Sequence, residues 1–192
     1  MSVQDTSGDP LAHFTRCIPR QPFASDNLTH GVWRTRKWAA LSLPFIQPCS
    51  VMIWCLVFDV DHEAAYWAAE DGILPQPNLI VLNRHNGKGH VTFFLQAPVP
   101  KTDAAKLRPL QYLAMIERGM VRRLDADPNY SGFVTKNPRH PDWRTFRKHG
   151  KRYELGELHE CLHDTNCTFP PRKETYGLSR NCTVFDLSLI HI

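Results

Sequence analysis

The sequence predicts an α+β fold, a mixed or antiparallel sheet flanked by helices, with a functional site on one sheet face. Three stretches predict it. Val51–His62, VMIWCLVFDVDH, is a run of β-branched and large apolar residues ending in two acids, which reads as a strand buried on both faces. PNLIVLNRHNGKGHVTFFLQAPV, residues 77–99, reads as two strands, Leu79–Leu82 and His90–Gln96, around a turn of residues that tolerate positive φ. Thr102–Leu124 places Leu110, Leu113, Ala114, Ile116 and Met120 at helical spacing.

At 192 residues the chain has room for one domain of ordinary size plus extensions. With 42% hydrophobic and 22% charged residues its composition is that of a globular protein. The net charge of +4 permits an anionic partner. No apolar run reaches the roughly 18–20 residues of a membrane span. The N-terminus carries Asp5 and Asp9 and has no apolar core, unlike a signal peptide, so a cytoplasmic location is expected, with no membrane partner. Six scattered cysteines suit reduced thiols better than a disulfide framework.

Taken in order, residues 1–20 are expected as a flexible tail, in which Leu11–Ile18 has the makings of a short helix. Residues 21–168 form the main domain. Its first part, Ala24–Pro48, interleaves Trp33 and Trp38 with Arg34, Arg36 and Lys37. That pattern suits either an amphipathic hairpin or stacking and phosphate contact with a single strand. After the acidic strand end, residues 62–72 carry Ala and Trp at helical spacing and stop on Gly72. Beyond the Thr102–Leu124 helix the chain turns basic. Lys101–Arg152 holds thirteen Lys or Arg against five Asp or Glu, with Tyr130, Trp143 and Phe146 among them, the footprint of a nucleic-acid or polyphosphate surface. Residues 154–162 read as a helix. His159, Cys161, His163 and Cys167 match no usual zinc spacing. Residues 169–192 read as a linker and the truncated start of a C-terminal helical domain.

The chemistry centres on the acidic strand end. Side chains at i and i+2 of a strand share a face, so Asp59 and Asp61 project together, about 7 Å apart along the chain. Two carboxylates so placed repel each other and resist desolvation. A divalent cation relieves both costs, and oxygen-only ligation selects Mg²⁺ or Mn²⁺. The other reading is a polar turn with both acids solvated.

The series VFDVDH, PNLIVLNRHNGKGH with VTFFLQAPV, ADPNYSGFVTKNPRHPDW and YGLSRNCTVFD resembles the replicase family of plasmid replication initiators. These are the Rep primases of colicin-type plasmids, within the archaeo-eukaryotic primase superfamily. The resemblance runs from about Ala24 to Asp186, with its blocks in the family's order. It implies a primase-like catalytic domain and metal-dependent, template-directed nucleotidyl transfer by a two-metal mechanism. Asp59, Asp61 and Asp127 would be the metal ligands, Asp125 being a competitor for the third place, and His90 would contact the incoming nucleotide. Lys136, Asn137, His140 and Trp143 match the family's KNP…H…W block and, with Lys88 and Arg144, are expected at nucleotide or template. One position departs from the pattern: Lys88 stands where the family has the first histidine of its turn. The implied partners are plasmid origin DNA as a single-stranded template, nucleoside triphosphates and a host DNA polymerase. Two rival functions are a non-catalytic origin-binding initiator and a sugar-nucleotide transferase using Asp-x-Asp.

Overall fold

A computed structural model of the chain describes residues 8–62, 66 and 74–162. The expected helix at 62–72 falls largely outside the described residues, as do His163, Cys167, the segment 169–192 and the first seven residues of the tail.

The fold is α+β and is built from two four-stranded antiparallel sheets. In chain order the elements are α1 (Pro10–Cys17), β1 (Phe23–Ser25), a 3₁₀ turn at Leu28–His30, β2 (Trp33–Arg34), α2 (Lys37–Ala40), β3 (Phe45–Ile46), β4 (Met52–Val60), β5 (Leu79–Asn83), β6 (Gly89–Pro100), α3 (Leu107–Leu124), β7 (Thr135–Lys136), β8 (Trp143–Arg147) and α4 (Leu155–Glu160). The large sheet runs β4-β6-β5-β8 and the small sheet β2-β1-β3-β7.

Alternation along the large sheet divides its residues between two cores. Leu56, Phe58 and Val60 of β4, with Val91, Phe93 and Leu95 of β6, point to the helices. There they meet Leu110, Leu113, Ile116, Met120 and Leu124, one stripe of α3. Cys55 and Val57 of β4, with Phe94 of β6, point the other way, to Ala24 and Ile46 of the small sheet and Phe14 of α1. Asp59 has the parity of Cys55 and Val57, so it faces the small sheet. The layers are therefore helices, large sheet, then small sheet with α1.

Residues 10–20 correct the expectation of a flexible tail. Asp9 caps α1 by accepting from the Leu11 N–H at 3.1 Å, and Pro10 sits in the first turn, where its missing N–H costs nothing. Phe14 and Ile18 are buried, and Phe14 packs edge-on against Trp54 at 5.6 Å. The apolar pair at spacing four docks this short helix, whatever the polarity around it.

Two buried asparagines tie loops to the sheets. Asn78 accepts from the Phe94 N–H at 2.7 Å and donates to the carbonyls of His149 and Lys151. Asn137 donates to the carbonyls of Leu41 and Leu43 at 2.9 and 2.8 Å and accepts from the Arg139 N–H.

Candidate active site between the two sheets

β4 and β6 pair with Asp59 directly opposite His90. Directly opposed residues share a face, so carboxylate and imidazole both point towards the small sheet. The gap is 3.2 Å from His90 Nε2 to Asp59 Oδ1. From the small sheet, β7 delivers Lys136, whose Nζ lies 3.6 Å from the same oxygen. The segment after α3 delivers Asp127, whose backbone N–H donates to the Asp59 carbonyl at 2.8 Å. α3 ends on Asp125 in the left-handed conformation, φ 48°, which turns the chain back towards β4. Of the two acids there, Asp127 is the one tied to the strand by a hydrogen bond, and Asp125 is the exposed helix cap. Asp61 lies just past the end of β4, with Lys88 Nζ 3.5 Å from its carboxylate.

The tautomer of His90 follows from its partners. The Lys136 backbone N–H can only donate, and it donates to His90 Nδ1 at 3.1 Å. The Thr135 hydroxyl lies 2.7 Å from the same nitrogen and Tyr130 Oη 3.4 Å. Nδ1 is therefore the acceptor, and the neutral ring carries its proton on Nε2, towards Asp59. Burial holds the imidazole below its ordinary pKa, against the opposing pull of Asp59. Tyr130 is lifted well above its ordinary value, chiefly by burial, and its hydroxyl donates to the Val134 carbonyl. Burial alone would raise Asp59, but His90 and Lys136 outweigh it and keep the carboxyl below its usual range. Lys136 is lowered by burial and pulled back by Asp59.

Asp59 Oδ1 is buried and, with the neutral His90 ring and the Lys136 ammonium nearby, has no aligned hydrogen bond. A carboxylate oxygen left in that state suits a hard cation. The donor set, carboxylates with no thiol, suits Mg²⁺ or Mn²⁺ in kind. The described residues do not bring three acidic, histidine or cysteine ligands to coordinating distance of one point.

The remaining expected residues divide. Lys88 and Lys136 lie on the two aspartates. Asn137 does not face the site: it is fully buried, and both ends of its amide are used by the loop of residues 41–43 and by Arg139. This corrects its assignment to nucleotide or template. His140 Nδ1 accepts from the Asp142 N–H in its own turn. Trp143 donates its indole N–H to the Pro44 carbonyl at 2.8 Å and meets Phe45 edge-on. Arg144 is exposed and lies over the Phe146 ring. In the earlier basic stretch, Lys37 Nζ donates to two carbonyls, of Arg16 and Ile18. Sequence reasoning missed Thr135, the buried hydroxyl beside His90. No feature of one sequence separates it from any other threonine.

Two antiparallel sheets face to face, with an acid–imidazole pair between them and helices behind, define an archaeo-eukaryotic primase-type fold. A solved structure has a similar fold. It is the AEP domain of the cyanophage S-2L primase-polymerase, matched at a TM-score of 0.54 and 13% identity over 80% of this chain and 96% of that one. The sequence model of the Replicase family matches residues 17–162, and the chain belongs to that family. No curated protein matches the chain. Among the described residues, no helix is long and apolar enough to cross a membrane.

Proposed function

We propose that this protein is a cytoplasmic plasmid replication initiator with primase activity, joining nucleotides on a single-stranded origin template. The observation that carries this is the register placing Asp59 opposite His90, with Lys136 Nζ beside that carboxylate and the Asp127 backbone bonded to the Asp59 carbonyl. Family membership and the fold shared with a primase-polymerase domain support it.

In this reading Asp59, Asp61 and Asp127 would hold Mg²⁺ or Mn²⁺, their carboxylates drawing together on the ion. When bound, such ions lower the pKa of a primer hydroxyl and offset charge on the leaving pyrophosphate. The chain's own residues set the electrostatics. His90, fixed by Thr135 and the Lys136 N–H, presents its Nε2 proton as a donor for a phosphate oxygen. Lys136 and Lys88 bring positive charge to the triphosphate side of the carboxylates. The neutral state of the ring makes it a donor that adds no net charge. Nucleoside triphosphates and origin DNA are the substrates, and a host DNA polymerase would extend the primer.

The test is incorporation of labelled nucleotide on a single-stranded template, with Mg²⁺ and Mn²⁺ tried separately. The wild-type protein should give template-dependent product. Asp59→Asn should give none while its melting curve stays cooperative. Product at the wild-type level from Asp59→Asn would overturn the proposal.

A further inference from the structure

The small sheet has one face turned to the core and one turned away. Cross-strand pairing sorts its residues: Trp33, Ala24, Ile46 and Thr135 form one row, and Ala24, Ile46 and Thr135 are buried against the large sheet. Arg34 pairs with Phe23, and Ser25, two residues on, pairs with Phe45, which pairs with Lys136, so these five lie on the other face, where Ser25 is buried. On that face Phe133, 41% exposed, meets Phe23 at 5.1 Å. The Arg34 guanidinium lies 4.9 Å above the Phe23 ring and has no carboxylate partner among the described residues. Lys136 ends the neighbouring row, at the β7 edge of the same sheet, with its Nζ 3.6 Å from Asp59.

We infer that this outward face is a track for a single-stranded nucleic acid, with bases stacking on Phe133 and Phe23 and phosphates meeting Arg34, and with Lys136 at its site end. The inference rests on the proposed function only for the direction of travel towards Asp59. The chemistry favours this occupant over a peptide. Flat rings alternate with cations, which is how unpaired bases and their backbone are held. Acids are scarce on these segments: residues 20–48 carry four Lys or Arg and one Asp, and residues 128–148 five and one. A duplex would hide its base faces from the rings and leave only the phosphate contacts.

The test uses the full chain and a dye-labelled 12-nucleotide oligo-dT, read by fluorescence polarisation without nucleotides. Phe133→Ala should weaken binding roughly tenfold, the worth of one stacked base, and Phe133→Tyr should restore it. Arg34→Ala should lower the slope of log affinity against log salt by about 0.7, one single-strand phosphate contact. Trp33→Ala is the control, equally exposed at 41% but on the opposite row. Unchanged affinity in Phe133→Ala, or an equal loss in Trp33→Ala, overturns the track. So does a duplex 12-mer that binds as tightly and is equally sensitive to Phe133→Ala. Polarisation and incorporation fail separately. Weaker binding by Phe133→Ala, together with a wild-type protein that incorporates nothing, keeps the track and sinks the enzyme. Incorporation with no effect of Phe133→Ala on binding does the reverse.

Discussion

His90 Nε2 stands 3.2 Å from Asp59 Oδ1 across the β4–β6 ladder, while Nδ1 of the same ring is held by Thr135 and the Lys136 backbone on the other sheet. One imidazole thus spans the two layers that form the candidate site. Its orientation depends on a hydroxyl and a backbone N–H of β7.

Thr135 should be such a positioning residue. Thr135→Val keeps the shape and removes the hydroxyl 2.7 Å from Nδ1. The Lys136 N–H still satisfies the ring, so the stability loss should be near the low end for a buried hydrogen bond, about 1 kcal/mol by urea unfolding. Incorporation should fall by roughly tenfold, the equivalent of about 1.4 kcal/mol in the barrier. Thr135→Ser should recover most of it, an outcome that a mere packing role would not give.

Asn137 should matter for stability and not for nucleotide. Asn137→Ala strips hydrogen bonds from the Leu41 and Leu43 carbonyls and the Arg139 N–H. Leaving buried groups unsatisfied costs about 1–3 kcal/mol each, so a loss of roughly 3 kcal/mol is expected in denaturant unfolding. Nucleotide affinity measured below the melting transition should match the wild type.

Gly89 opens β6 next to His90, where a side chain has no room. A Cβ there would come within 2.6 Å of the Val81 carbonyl oxygen, a backbone atom that cannot swing aside. Gly89→Ala should force the β5–β6 pairing apart locally, at about 1–3 kcal/mol by thermal unfolding. Because His90 is the next residue, incorporation should drop more steeply than stability alone explains.

Glu117 gives a pH signature remote from the site. Burial on α3 lifts its carboxyl from 4.5 to about 7, with Lys101 and Arg118 pulling back only in part. The folded state then binds the proton more tightly than the unfolded chain. The sign follows: stability is fully present below about pH 4.5 and declines as the pH rises to about 7. Within that window the slope is at most about 1.4 kcal/mol per pH unit. Urea midpoints should fall between pH 5 and 7 in the wild type and fall less in Glu117→Gln. Parallel curves would contradict the assignment.

The strands β4 and β6 and the helix α3 were legible because each is long enough for its period to be counted. β4 has nine residues, β6 twelve and α3 eighteen. The small sheet was not legible. Its strands are two or three residues long, shorter than one cycle of any pattern, and tertiary pairing alone makes them strands. β8 was hidden differently. WRTFR read as part of a basic surface, yet it is the edge strand of the large sheet, with its arginines outward. At the site, Asp59 and Asp61 could be named from strand parity, but the partnership of Asp59 with His90 needed a register between strands about thirty residues apart. Asn137 shows the converse limit. Membership of a motif block cannot separate a side chain that meets a ligand from one that clamps the loop beside it.

The ring at position 90 also has a mechanical meaning. A pin through two plates feels any slip between them. If the small sheet slides over the large one when substrate enters, the two nitrogens of this imidazole are pulled in different directions. Its ¹⁵N chemical shifts would then serve as a built-in strain gauge for closure of the cleft.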